Sequence, residues 1–192
     1  MLAVASEFKD PETGGHIKRI VQLTTDIARE LGIKPKRAER IGHDSILHDL
    51  GKLGISDYIL LKPDKLSEIE YETMKQHTLI GAEIIGADDW FINARQIALF
   101  HHEKWNGSGY PEGLEGEAIP IAARIVAVAD EFDALMSRRP YKEAWSIEKA
   151  IETIKKEAGT HFDPRIIEAF LSLHKKGMLK NYSYGKYHVN TT

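Results

Sequence analysis

ETGGHIKRIVQLTTDIARELG, residues 12–32, sets Ile17, Ile20, Val21, Leu23, Ile27 and Leu31 mostly three or four positions apart. An α-helix turns once in about 3.6 residues, so this spacing gathers the apolar side chains on one face. The pattern predicts a helix from near Glu12 to near Gly32, where glycine stops it. Working outward, the same period returns again and again. Pro35 opens a second helix through Ile41, Ile46 and Leu47 to about Leu50. Ser67 with Glu70 forms a capping-box signature before Met74, Leu79, Ile80, Ile84 and Ile85. Asp88 or Asp89 caps a helix ending near His101, Pro120 starts another, Ser146 caps the next, and Asp163-Pro164 opens the last. No run alternates with turn signals as paired strands do, so the reading is all-α, a single helical bundle of seven or more helices.

Bulk properties narrow the function. A chain of 192 residues with 42% hydrophobic composition suits one domain. Its formal charge of −3 creates no global field for nucleic acid or anionic lipid, so DNA and membrane partners are not expected and an anionic ligand needs local cations. The absence of cysteine excludes disulfides, thiolate metal sites and cysteine nucleophiles, and fits a reducing compartment. No apolar run approaches the roughly 20 residues of a membrane span, and the start lacks the basic and apolar segments of a signal peptide. Residues 1–11 read as a lead-in, 12–176 as the functional domain, and 177–192, GMLKNYSYGKYHVNTT, as a loosely held tail. HEKWNGSGYPEGLEGEAIP, residues 102–120, is long for a compact domain and is a candidate functional loop.

His-Asp occurs twice within HDSILHDLGK, residues 43–52. On a continuous helix the two histidines lie about 140° apart, so they serve different faces. Lys52 falls on the side of His48 and Asp49, giving that pair a cation suited to an anionic substrate. His43-Asp44 reads as a polar face. Taken singly, Glu12 and His16 suit a surface pair, His77 a packed histidine, and His101-His102 a helix end where imidazolium meets the dipole. Asp130 is harder to explain as a surface acid, because apolar residues surround it in RIVAVADEFDAL. Together Glu12, His16, His48, Asp49, His77, His101, His102 and Asp130 offer more ligands than one metal takes, about four to six. Mixed imidazole and carboxylate donors allow iron, manganese or zinc.

The order His16, His48-Asp49, Asp130, with HDLGK, HHEKWNGSGYPEGL, IPIAARIVAVADEFDAL, RRPYKEA and GTHFDP, resembles the HD superfamily of metal-dependent phosphohydrolases and its HD-GYP subfamily. The resemblance covers most of the chain. It implies an HD-type helical bundle and hydrolysis of cyclic di-GMP to linear pGpG, or onward to GMP, by a metal-bridging hydroxide in the bacterial cytoplasm. It assigns the eight residues above to the metal centre, with Asp49 bridging. Members keeping both the early glutamate and the first histidine resemble three-metal enzymes, so three divalent ions are favoured over two, with iron or manganese ahead of zinc. By the same resemblance Asp49 and Lys52 are catalytic, Lys52 over the scissile phosphate, and Tyr110, Arg139 and Lys142 contact substrate. Trp105 is a further candidate for base stacking. Asn106 stands where many members carry aspartate, which removes a charge from that turn.

Two other readings stay open. One is an HD-type phosphohydrolase acting on another cyclic dinucleotide or nucleotide. The other is a noncatalytic module that senses a nucleotide or docks a partner, such as a diguanylate cyclase or a regulatory domain.

Overall fold

The computed structural model describes residues 15–137 and 145–182. Those residues form nine α-helices: α1 His16–Glu30, α2 Pro35–Asp44, α3 Asp57–Leu60, α4 Glu68–Lys75, α5 His77–Ile85, α6 Ile92–Phe100, α7 Ile121–Met136, α8 Ile147–Lys156 and α9 Pro164–Lys175. Among them there is no β-sheet, only two isolated bridges. The all-α reading holds. No helix among the described residues is long and apolar enough to cross a membrane.

The predicted starts are chemically legible. Ser67 and Glu70 close a complete capping box on α4, Ser146 caps α8 through Lys149 N, and Asp163 caps α9 with Pro164 in its first turn. Asp88 accepts from Trp90 N and so caps a 3₁₀ turn, Asp89–Phe91, that leads into α6 rather than capping α6 itself. The expected beginning of the first helix near Glu12 lies outside the described residues.

Two extents differ from expectation. The second helix ends at Asp44 rather than near Leu50, and the chain continues through tight 3₁₀ turns at Ser45–Leu47 and Leu50–Gly54. Close packing explains the tightening: a Cβ on Gly51 would lie 1.8 Å from His77 O and 2.4 Å from Gly81 N. A 3₁₀ turn advances about 120° per residue, so a uniform helical wheel no longer relates His43 to His48. The outcome survives, because His43 is exposed and His48 is buried. Asp44 is the structural member of the first pair, buried and paired with Arg40 at 3.0 Å. The expected helix after Ser67 is likewise divided at Gln76 into α4 and α5.

α7 runs through the centre. Its Ile125, Val128 and Phe132 pack with Ile20, Leu23 and Ile27 of α1, Ile154 of α8, and Ile166 and Phe170 of α9. Each such buried side chain contributes about 1.5–3 kcal/mol. Ile17, Val21 and Leu31, expected in the core, are only half-buried, whereas Arg19, Thr24, Thr25 and Asp26 are buried. The reason is that α1 meets α2, α7 and α9, so its covered surface is wider than one apolar stripe. The tail begins less loosely than expected: Leu179 and Tyr182 are buried, and Tyr182 OH donates to Asp26 at 2.7 Å.

Candidate metal centre

Five chain segments bring the predicted ligands together. His16 opens α1, His48 and Asp49 lie between the two 3₁₀ turns, His77 opens α5, His101 and His102 follow α6, and Asp130 sits within α7. One ligand atom from each of Asp49, His77, His101 and His102 falls within 4.8 Å of the others, and the same holds for His16, His48 and Asp130. Asp49 faces both groups. Its Oδ1 lies 3.5 Å from His77 Nε2 and 3.7 Å from His101 Nε2, while Oδ2 lies 3.3 Å from His48 Nε2. His48 Nε2 is also 3.7 Å from Asp130. Seven of the eight expected ligands therefore converge; Glu12 lies outside the described residues, as do Arg139 and Lys142.

The local fold selects which nitrogen each ring offers. His48 Nδ1 donates to Ser45 O at 2.9 Å, His77 Nδ1 to Met74 O at 2.7 Å, and His101 Nδ1 to Ile97 O at 3.0 Å. A carbonyl only accepts, so each Nδ1 carries a proton and each Nε2 faces the cluster. His16 Nδ1 is held by Asp133 at 2.7 Å, and Asp133 also binds Arg19. These are the backbone and carboxylate contacts that orient metal-binding histidines. His48 Nε2, His77 Nε2, His101 Nε2 and Asp49 Oδ1 are buried and make no hydrogen bond. Four such atoms, turned toward one another, suit shared cations.

A cation at this position would displace a proton from His48 and meet neutral rings at His77 and His102. Burial opposes charge on His48, but Asp49 and Asp130 outweigh it and push its pKa up to about 10. Burial pulls His77 down to about 4, and burial with neighbouring His101 holds His102 well below the ordinary range. Burial would raise Asp49, yet Lys52 and His48 hold its carboxyl well below the usual carboxylate range. Lys52 Nζ lies 2.7 Å from Asp49 Oδ2, the proximity its spacing implied.

Tyr110 covers the cluster. Its ring stacks on His102 at 4.8 Å and meets His77 edge-on at 6.5 Å, while burial raises its pKa. Lys75 Nζ lies 5.5 Å from that ring and 5.3 Å from the Tyr71 ring, placing an unanticipated cation at the rim. Trp105 instead lies at the loop's base, where its backbone N–H donates to His161 O and Arg124 sits over its ring. Sequence reasoning also missed Asp133 and Glu103. Asp133 follows Asp130 by three residues on α7, and Glu103 adjoins the His-His pair, so each carried a positional signal.

Comparison with known proteins extends these observations. The HD domain family model matches residues 2–166. A cyclic di-GMP phosphodiesterase response regulator of Xanthomonas campestris is 47% identical over 172 residues, covering 88% of this chain and 46% of the relative. A 3'3'-cGAMP-specific phosphodiesterase of Vibrio cholerae is 42% identical over 172 residues, covering 88% of this chain and 33% of the relative. The chain thus spans between a third and a half of these relatives' lengths. The crystal structure of a cyclic GMP-AMP-specific phosphodiesterase of V. cholerae shares the fold, with a TM-score of 0.71 at 22% identity, covering 94% of this chain and 49% of that one. With its helical architecture, its two facing His/Asp groups and these matches, the chain belongs to the HD-domain family and, within it, to the HD-GYP type.

Proposed function

We propose that this chain is a metal-dependent phosphodiesterase that hydrolyses cyclic di-GMP to linear pGpG. The observation that carries the reading is the set of buried, unbonded Nε2 atoms and Asp49 Oδ1 beside the Lys52 ammonium. His16, His48, Asp49, His77, His101, His102 and Asp130 would hold the ions, with Glu12 completing a third position and Asp49 shared between the two groups. Divalent iron or manganese would lower the pKa of bound water and neutralise phosphoryl oxygens. Lys52 then faces the charge that grows on the scissile phosphate, where a fixed ammonium acts without reorganising. Tyr110, Arg139 and Lys142 bind the dinucleotide and keep it in place.

A second reading, hydrolysis of 3'3'-cGAMP, is favoured by the 42% identity to the V. cholerae enzyme of that specificity. The two are separated by turnover of cyclic di-GMP, 3'3'-cGAMP and mononucleotides under identical conditions by anaerobically purified, metal-analysed protein. Preference for cyclic di-GMP with two or more metals per chain is the expected result. Fewer than two metals in active protein removes the shared-ion arrangement, and indifference to cyclic dinucleotides removes the substrate class.

A further inference from the structure

Three successive backbone N–H groups of the loop that carries Tyr110 converge on one buried side chain. Glu103 directly follows the paired histidines and is only 2% exposed. Its Oε1 accepts from Glu112 N at 2.8 Å and Gly113 N at 3.0 Å, and its Oε2 accepts from Leu114 N at 3.1 Å. Gly113 takes φ +67°, which turns three successive N–H groups toward one point. Such a concave row of amides ordinarily receives an anion. Here the anion is the chain's own carboxylate.

Tyr110 is held from its other side as well. Tyr110 N donates to His102 O at 3.3 Å. Gly109 lies so close to the preceding backbone that an added Cβ would meet Lys104 N at 2.3 Å and Glu103 Cα at 2.5 Å. The backbone before Tyr110 is thus pressed onto His102 and Glu103, and the backbone after it is tied to the Glu103 carboxylate. Between these fastenings the tyrosine ring stacks on His102.

We propose that Glu103 is a positioning residue for substrate recognition: its carboxylate fixes the Gly-Tyr-Pro loop so that Tyr110 stands against the metal-binding His102. The proposal rests on the functional reading above, in which Tyr110 touches the dinucleotide. Glu103→Gln tests it, because an amide has one acceptor oxygen and turns an NH₂ donor toward the remaining N–H. Glu103→Asp keeps the charge on a shorter stem and should recover part of the loss.

In the metal-loaded protein, Glu103→Gln should leave metal content unchanged and speed amide exchange at residues 112–114 by roughly tenfold, while exchange in α6 and α7 stays as in wild type. KM for cyclic di-GMP should rise about tenfold with kcat within about twofold, as expected for lost binding rather than lost chemistry. Hydrolysis of bis(p-nitrophenyl) phosphate, which is too small to need the loop, should hold. In a Tyr110→Ala background, Glu103→Gln should add less than about twofold, because the two changes remove one function. Loss of metal, equal slowing of both substrates, or a KM penalty that multiplies with Tyr110→Ala would overturn the proposal. Should wild type turn over no cyclic dinucleotide, the functional reading fails alone, and unchanged exchange at residues 112–114 remains the result that rejects the role of Glu103.

Discussion

Gly51 sits where two backbones meet, and no side-chain rotation can relieve an added methyl there. The atoms a Cβ would strike, His77 O and Gly81 N, belong to α5, whose first residue is His77. Gly51→Ala should therefore destabilise by at least about 1–3 kcal/mol and displace His77 from its companions. Calorimetry with metal analysis checks both effects; normal stability with full metal content would contradict the packing argument. Asp133 acts at the same scale by a different cause. It orients His16 and joins Arg19 in a buried pair, burial opposing its charge while His16 and Arg19 hold its pKa below the usual range. Asp133→Asn keeps an acceptor but loses the charge, so metal affinity should fall about 10–100-fold. Competition against a chelator measures this, and wild-type affinity would exclude a role for Asp133 in orienting His16. Sequence made the clustered His and Asp residues legible through motif order, while Asp133 and Glu103 gave only a positional signal, because the partners that define their roles lie 117 and about ten positions away.

At the scale of the element, helix beginnings were more readable than helix interiors. Ser67, Ser146 and Asp163 act through bonds to residues within the next turn, so local sequence contains both partners. The 3₁₀ winding after Asp44 depends on α5 pressing against Gly51, a contact from some 26 residues away that periodicity does not encode. The box on α4 gives a prediction with a defined sign. Glu70 is drawn down to about 2, chiefly by Lys62 and then by the Ser67 backbone. A carboxylate depressed in the folded state stabilises fully above its unfolded value of 4.5 and loses that contribution as pH falls toward 2. Glu70→Gln should accordingly lower the denaturation midpoint at pH 7, with the gap steady to about pH 5 and narrowing below pH 4. Paired denaturant titrations read it; a gap that widens on acidification would show that the pairing with Lys62 is not its source.

Over the whole molecule, the metal centre links parts of the chain that only a small apolar cluster otherwise joins, in which Ile97 of α6 and Ile41 of α2 pack with Ala122 and Val126 of α7. The main core unites α1, α7, α8 and α9, whereas His77 and His101 come from the side built by α5 and α6. Asp49 stands between, with oxygens turned to both groups. Ions shared by these residues would bind the native arrangement and not the unfolded chain, so they should stabilise by mass action, about 2.7 kcal/mol at a metal concentration 100 times Kd. For a domain of this size that corresponds to a rise in Tm of roughly 5–10 °C. The apo chain should nevertheless remain folded, because Lys52 already pairs with Asp49 and the α1–α7–α9 core contains no ligand-dependent contact among its apolar residues. Chelation followed by calorimetry should thus give a cooperative transition at lower temperature, and manganese or ferrous iron should restore the higher one. Hydrogen exchange should localise the loosening to α5 and the Ser45–Gly54 stretch and spare α7 and α9. Equal loosening throughout, or an unchanged Tm, would mean that the ions do not couple the two sides of the bundle.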